Sequence, residues 1–224
     1  MIYAARIDCD TESLRERASA ERLMRSERFV HEADRRRCLA VEVLCMMALE
    51  EEGVASDAKI RLMHDDKQKP YLCIPGVQES DTPQVSLSHA GEAVAVAIDR
   101  FPVGVDLETV RPCKEQIVNR FFTQTEQKYI HRAMDRDLAF TQIWTLKESF
   151  VKATGEGLSL GIESFGIEWD KETGLYSYVQ EYDENTYTGA ILPAPEGYVL
   201  SACFRAESEL QDPHKRDTIF MCLK

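Results

Sequence analysis

Three carboxylates and two lysines lie in the middle of the chain at spacings that could do chemistry. Across Val103-Gly104-Val105-Asp106-Leu107-Glu108, apolar residues alternate with glycine and acids. A strand with that period of two turns Val103, Val105 and Leu107 one way and Gly104, Asp106 and Glu108 the other. Carboxylates this close raise each other's pKa unless a cation neutralises them. Further on, Trp144 to Lys152 has the composition of a helix, with Gly155 past its end. At about 100° per residue, Trp144, Lys147, Glu148, Val151 and Lys152 fall on one side of it. An all-oxygen site of few ligands suits Mg2+, which keeps waters and works on phosphates. Asp106, Glu108 and Glu148 are the candidate metal ligands. Lys147 and Lys152 are the ammonium groups that would hold phosphate oxygens beside them.

Other signals divide. Ser86-Leu87-Ser88-His89 offers a nucleophile and a base, but no G-x-S-x-G elbow accompanies it. His89, at a strand end, serves equally as a phosphate donor or a structural hydrogen-bonder. Thr123-Gln-Thr-Glu126 fits a capping box, which makes Glu126 a cap before a catalyst. Residues 1–58 contain nine arginines and no lysine, and eight of the nine lie between Arg15 and Arg37. The triple Arg35-Arg36-Arg37 stands in the first turn of a helix, where the dipole disfavours cations. Solvated surface arginines and an anion-binding zone are equal readings of it.

These groups need a scaffold. Hydrophobic content of 44% with 29% charged residues is that of an ordered globular chain. A net charge of −12 on 224 residues argues against nucleic-acid binding, which needs a basic surface. Seven cysteines with no CxxC pair suggest neither a disulfide framework nor a structural zinc site. No apolar run approaches a membrane span, and charges come too early for a signal peptide; a cytoplasmic protein is the expectation. The chain reads as a strand over Ile2–Ile7, a charged surface helix over 12–30, and a helix buried on most sides from Asp34 to Glu52, stopped by Gly53. Strands follow at Lys59–Met63, Pro70–Ile74, Val85–His89, Ala93–Ile98 and Val103–Glu108. Helices are expected at about 113–120, 124–134 and 137–154, then strands at Phe165–Trp169, Tyr176–Tyr182, Tyr187–Leu192, Tyr198–Phe204 and Ile219–Leu223. Strands mixed with two groups of helices indicate an α+β fold, and no linker tract or short repeat divides it.

The same residues form an ordered set of motifs. Gly104-Val-Asp106-Leu-Glu108, then Phe121-Phe-Thr-Gln-Thr-Glu126, then Trp144-Thr-Leu-Lys147-Glu148-Ser-Phe-Val-Lys152-Ala-Thr-Gly-Glu-Gly157-Leu-Ser resemble the 4′-phosphopantetheinyl transferases of the surfactin-synthetase-activating type. Upstream, Ser86-Leu-Ser88-His89 is similar to that family's S-x-S-H motif and Lys69-Pro70 to its G-K-P motif. Arg28-Phe29 to Leu44 resembles its early helix, with Arg37 at the basic position. Any one motif is weak; together, over roughly residues 20–165, they are specific.

The resemblance implies two similar α/β halves in pseudo-twofold relation, residues 1–102 and 103–224, with a ligand cleft between them. It implies transfer of the phosphopantetheine arm of coenzyme A to a serine of an apo acyl or peptidyl carrier protein, releasing 3′,5′-ADP, by a protein for which a monomer suffices. Carried over, Asp106, Glu108 and Glu148 hold Mg2+ against the pyrophosphate. Lys152 and His89 contact phosphates, and Glu148 takes the serine proton directly or through a water. Lys69, Pro70, Ser88 and Arg37 serve the nucleotide end, and Arg22 and Arg25 align by counting back from Arg28. The glycine of G-K-P is Gln68 here, and nothing after Gly161 matches. Two other classes stay open: a non-catalytic coenzyme A-binding module and a generic Mg2+ phosphohydrolase. The carrier served is not legible.

Overall fold

In the computed structural model, residues 1–54, 60–212 and 215–223 are described, Leu158 by its backbone alone. The strand expected from Lys59 begins, among these residues, at Arg61; Lys59 itself lies outside the described residues. The order is β1 (Ile2–Ile7), α1 (Thr11–Arg17), α2 (Ala20–Ser26), α3 (Glu32–Glu51), β2 (Arg61–His64), β3 (Pro70–Cys73), β4 (Gln84–Ala90), β5 (Ala93–Asp99) and β6 (Val103–Thr109). Then come α4 (Glu115–Phe121), α5 (Gln124–Arg132), α6 (Arg136–Thr154), β7 (Gly166–Trp169), β8 (Tyr176–Val179), β9 (Tyr187–Leu192), β10 (Tyr198–Arg205) and β11 (Thr218–Leu223). The fold is α+β.

The chain runs one course twice. Each half gives a strand, helices of which the last is longest, a hairpin and an antiparallel pair. In each, the first strand pairs antiparallel with the last, and the last with the one before it: β1-β5-β4 and β6-β10-β9. β7 and β8 extend the second sheet beyond β9. β11 departs from the repeat and lies parallel to β1 at the edge of the first sheet, with Ile2 opposite Thr218 and Ile7 opposite Leu223.

Local chemistry explains where the helices break. The single helix expected over 12–30 is two, because Ser19 turns away to cap α2. Its hydroxyl accepts from Arg22 N at 3.1 Å, while its own N–H and O–H donate to the buried Glu42 carboxylate at 3.0 and 2.9 Å. A tertiary partner on α3 thus overrides helix propensity. The capping box at α5 forms as expected, Thr123 Oγ1 accepting from Glu126 N and Glu126 Oε2 from Thr123 N. α3 packs Leu39, Val43, Leu44 and Leu49 against β1 and β5, and is buried on nearly every side.

Between the two sheets a second apolar layer forms. Ala4, Ala93, Ala95 and Ala97 from the first face Val103, Val105, Leu200 and Ala202 from the second. The sheets also meet edge to edge without a shared backbone ladder. The N–H groups of Val105 and Leu107 that point away from β10 donate instead to Ser86 Oγ at 3.0 Å and Ser88 Oγ at 3.1 Å on β4. Serine hydroxyls therefore complete the edge of β6 and join the halves.

α6 lies almost on the backbone of β6. A Cβ at Gly104 would stand 1.8 Å from Ser149 O and 2.6 Å from Ala153 N. This close approach puts Glu148 and Lys152 beside Asp106. Gly104→Ala should push α6 off the sheet and destabilise the protein by roughly 3 kcal/mol or more. Chemical denaturation reads the loss, and a change under about 1 kcal/mol would show that the approach is not needed.

Candidate active site

The cleft between the halves is a cavity of 330 Å³ lined by Leu87, Ser88 and His89 from β4 and by Asp106, Glu108, Arg111, Trp144, Glu148 and Lys152 from the second half. Its centre is a buried hub. Lys152 Nζ donates to Asp106 Oδ1 at 2.7 Å, Ser88 Oγ at 2.9 Å and Val105 O at 3.0 Å. Ser88 Oγ in turn donates to Asp106 Oδ1 at 3.0 Å. Asp106 is 5% exposed, and its second oxygen, Oδ2, is buried with no hydrogen-bond partner among the described residues.

Around this hub the charges are crowded. Burial first, then the Asp106 charge, raises the pKa of Glu108, with Arg111 and Lys152 opposing. Burial and Asp106 raise Glu148 likewise, against Lys152. Arg111 Nη2 lies 3.3 Å from Glu108 Oε1. His89, an exposed residue of the cleft lining, has its pKa lowered by partial burial first, then by Lys152 and Arg37.

Hard oxygen donors with an orphaned buried oxygen, and with the pKa values of Glu108 and Glu148 raised by burial and the Asp106 charge, fit a divalent cation by type and by charge. They do not already stand as a coordination shell: among the described residues no three His, Cys, Asp or Glu groups sit at ligand spacing. Asp106 Oδ1 faces Lys152 and Glu108 faces Arg111, so Glu108 would have to leave Arg111 to share a cation.

The other expected site residues lie at graded distances from this centre. Lys69 and Pro70 line an adjoining cavity of 230 Å³ that shares Leu87, Glu148 and Lys152 with the first. Lys69 Nζ donates to Ala153 O at 3.1 Å at the end of α6, and burial lowers its pKa. Arg22 and Arg25 line a separate cavity of 260 Å³ with Arg28 and His64. Arg22 is buried, its Nε donating to Cys38 O at 2.7 Å. Arg37 reaches the turn after His89, donating to Gly91 O at 3.0 Å and pairing with Asp34. Its neighbour Arg36 pairs with Glu92 at 2.8 Å. The triple arginine is thus neither simply solvated nor gathered round an empty site: two of its members clamp the β4–β5 turn.

Gln68, where the motif has glycine, keeps the glycine conformation. It is the one non-glycine residue with positive φ, +67°, among the described residues. The side chain offsets part of a strain of about 1–2 kcal/mol by accepting from Arg25 Nη1 at 3.3 Å.

Lys147 corrects the sequence reading. It is fully buried and points away from the cleft, 3.2 Å from Glu126 Oε1, donating to Ile162 O at 3.0 Å and Phe165 O at 2.6 Å. The reason is angular: five residues of helix place Lys147 and Lys152 about 140° apart, too far to share one narrow face. Glu148, only about 40° from Lys152, stays with it. Arg111 was missed as a cleft residue; its one signal is that it follows Glu108 by three residues, just past the end of β6.

Two like halves with an acidic, lysine-bearing cleft between them define the class: an α+β protein equipped for phosphate chemistry. Comparison with known proteins sharpens this. A family model described as "4'-phosphopantetheinyl transferase superfamily" matches residues 102–203, and one described as "4'-phosphopantetheinyl transferase, N-terminal" matches residues 12–100. The chain is 30% identical over 197 residues to 4'-phosphopantetheinyl transferase ffp of Bacillus subtilis, covering 87% of this chain and 85% of that one. It is 30% identical over 188 residues to 4'-phosphopantetheinyl transferase Sfp of Bacillus subtilis strain 168, covering 83% and 81%. To 4'-phosphopantetheinyl transferase psf-1 of Bacillus pumilus it is 34% identical over 156 residues, covering 69% and 65%. The chain belongs to the 4′-phosphopantetheinyl transferase family.

Two outcomes test this geometry. Lys147→Met strands a buried carboxylate and should cost about 3–5 kcal/mol, part of which Glu126→Gln in the same chain restores; equal losses in single and double variants would rule out the pairing. His64 is held down to about 4, by burial first and then by the charges of Arg25 and Arg22. Its folded pKa lies below the unfolded one, so the stability it contributes is present above pH ~6.5 and is lost as pH falls toward 4. Denaturation midpoints of the wild type should drop more steeply over that window than those of His64→Gln; parallel curves would contradict this.

Proposed function

We propose that the protein transfers the 4′-phosphopantetheine arm of coenzyme A to a serine of an apo acyl or peptidyl carrier protein, releasing 3′,5′-ADP, in a Mg2+-dependent reaction. The observation that carries this reading is the convergence of Asp106, Glu108, Glu148, Lys152 and His89 on one cleft in a chain of this family. Residues 1–102 serve the nucleotide end and residues 103–224 the metal and the reacting phosphate. A cytoplasmic address fits cysteines that are all free thiols, and one chain holds a complete cleft, so a monomer suffices.

The chemistry is in-line displacement at phosphorus. The serine hydroxyl forms a new P–O bond to the phosphate bearing the pantetheine arm. The P–O–P bridge breaks, 3′,5′-ADP leaves, and the hydroxyl proton passes to a base. Such a reaction asks the protein for positioning and charge neutralisation more than for covalent help. Asp106, Glu108 and Glu148 would hold Mg2+, whose contribution when bound is charge stabilisation worth several kcal/mol on the pyrophosphate oxygens. Lys152, whose donors rest on Asp106, Ser88 and Val105, exchanges one of these partners for a phosphate oxygen, and His89 donates from the rim. Glu148, its pKa raised by burial and by Asp106, accepts the serine proton. Lys69, Pro70 and Ser88 flank the nucleotide end, with Arg37 behind the His89 turn and Arg22 and Arg25 offering charge to a terminal phosphate. An acidic carrier would dock on α4 and α5, where Lys114, Arg120, Lys128 and Arg132 are exposed on an otherwise acidic chain.

The test is incubation with coenzyme A, Mg2+ and a panel of apo carrier proteins, read by mass. One carrier should gain a single phosphopantetheinyl group, with a carrier KM that rises with salt. Glu148→Gln should lower kcat by about 100-fold or more with an unchanged melting temperature. No mass gain on any carrier sinks the proposal: coenzyme A binding alone would leave a binding module, and hydrolysis without carrier a phosphohydrolase. Unchanged kcat in Glu148→Gln would remove that residue from the role.

A further inference from the structure

Arg111 has an arrangement that the roles above leave unexplained. It follows β6 by two residues, and its backbone N–H is held by Thr141 Oγ1 at 3.3 Å. Its guanidinium lies 5.0 Å above the Trp144 ring and 5.9 Å from that of Phe140. It lines the same cavity as Asp106, Glu108, Glu148 and Lys152. Nε and Nη2 are both buried and neither has a hydrogen-bond partner among the described residues. Glu108 is near enough for an ion pair, at 3.3 Å, without forming a hydrogen bond.

Nε and Nη2 form the side-on edge of the guanidinium fork, the edge that takes two oxygens of one acceptor. A buried donor left unmade costs about 1–3 kcal/mol, and here two adjacent donors are left so, inside a cleft whose other deficits are of the opposite kind. The cation–π contact with Trp144 restrains the guanidinium before any ligand arrives, which reduces the ordering cost of binding. A cation also stands against each strand carboxylate: Lys152 against Asp106, Arg111 against Glu108.

Taking the cleft as the pyrophosphate site, as proposed above, we infer that Arg111 is a substrate-contacting residue whose Nε–Nη2 edge receives two oxygens of the coenzyme A pyrophosphate. Arg111 and Lys152 then clamp the pyrophosphate from two sides, with the carboxylates between them. Trp144 acquires a role as the platform that aims the fork. A carboxylate on an approaching carrier is a poorer match, because the two open donors are buried and not on the outer surface.

The experiment is calorimetric titration of the full-length wild type, Arg111→Gln and Arg111→Lys with coenzyme A in the presence of Mg2+, with carrier KM measured at saturating coenzyme A and Mg2+ affinity measured alone. Arg111→Gln should weaken coenzyme A binding by about 10- to 100-fold and leave the carrier KM unchanged. Arg111→Lys keeps the charge beside Glu108, and with it the fold, but lacks the fork, so it should recover only part of the affinity. Unchanged coenzyme A affinity with a raised carrier KM would make Arg111 a docking residue. Unchanged coenzyme A affinity with tighter Mg2+ binding would leave it only the neutraliser of Glu108. Either result overturns the inference while the transferase reading stands. A wild type that neither binds coenzyme A nor modifies any carrier overturns both.

Discussion

The seam between β4 and β6 is the contact on which the rest depends. An edge strand presents unpaired N–H and C=O groups that must find partners. Here the N–H groups of Val105 and Leu107 find hydroxyls, Ser86 and Ser88, in place of a neighbouring backbone. A backbone carbonyl can only accept, whereas a hydroxyl accepts and donates at once. Ser88 uses both capacities, accepting from Leu107 N–H and the Lys152 ammonium and donating its own O–H to Asp106. The bond that joins the halves therefore also aims the central carboxylate. The period of two along β4 is what allows this, because it sets Ser86 and Ser88 on the same side of the strand.

α6 extends the same economy to the second half. One side of it closes the cleft through Glu148 and Lys152; another carries Lys147 into the core against Glu126. A buried ion pair of this kind is weak evidence for stability, since desolvation offsets most of the attraction. Its effect is orientational: Lys147 also binds the carbonyls of Ile162 and Phe165, and Glu126 binds Ile167 N–H at 2.9 Å. The rotation of α6 is thereby fixed from its buried side, and Gly104 fixes its height above β6. Together they determine where Glu148 and Lys152 point.

Much of this was legible in the sequence, and what was not has physical causes. The alternation through Gly104, Asp106 and Glu108 identified a strand with an acidic face, because burial on one side enforces a period of two. The capping box at Thr123 and the stop at Gly155, φ +75°, were readable because caps are local chemistry. The break between α1 and α2 was not, since Glu42, which draws Ser19 away, is 23 residues distant. The duplication was invisible for a similar reason: it lives in strand pairing and not in repeated residues, and β11 leaves its own half to complete the first sheet. Lys147 was misplaced by treating a wide arc of helix as one face. Gln68 departs from the motif in the sequence, but its left-handed turn and its bond to Arg25, 43 residues away, depend on the tertiary fold.

The cleft is electrostatically unfinished in two opposite senses. Among the described residues Asp106 Oδ2 is an acceptor with no donor, and Glu108 and Glu148 are acids whose charges burial and the Asp106 carboxylate resist. Arg111 Nε and Nη2 are donors with no acceptor. A lone cation would answer the first deficit and a lone anion the second; a metal-bound phosphate answers both, each part supplying what the other side of the cleft lacks. Buried groups left in this state cost about 1–3 kcal/mol apiece, and only a scaffold that over-determines their positions can hold them. That scaffold is what the serine seam, the Gly104 approach and the Lys147–Glu126 anchor provide. The stability they contribute is what allows the cleft to wait unsatisfied.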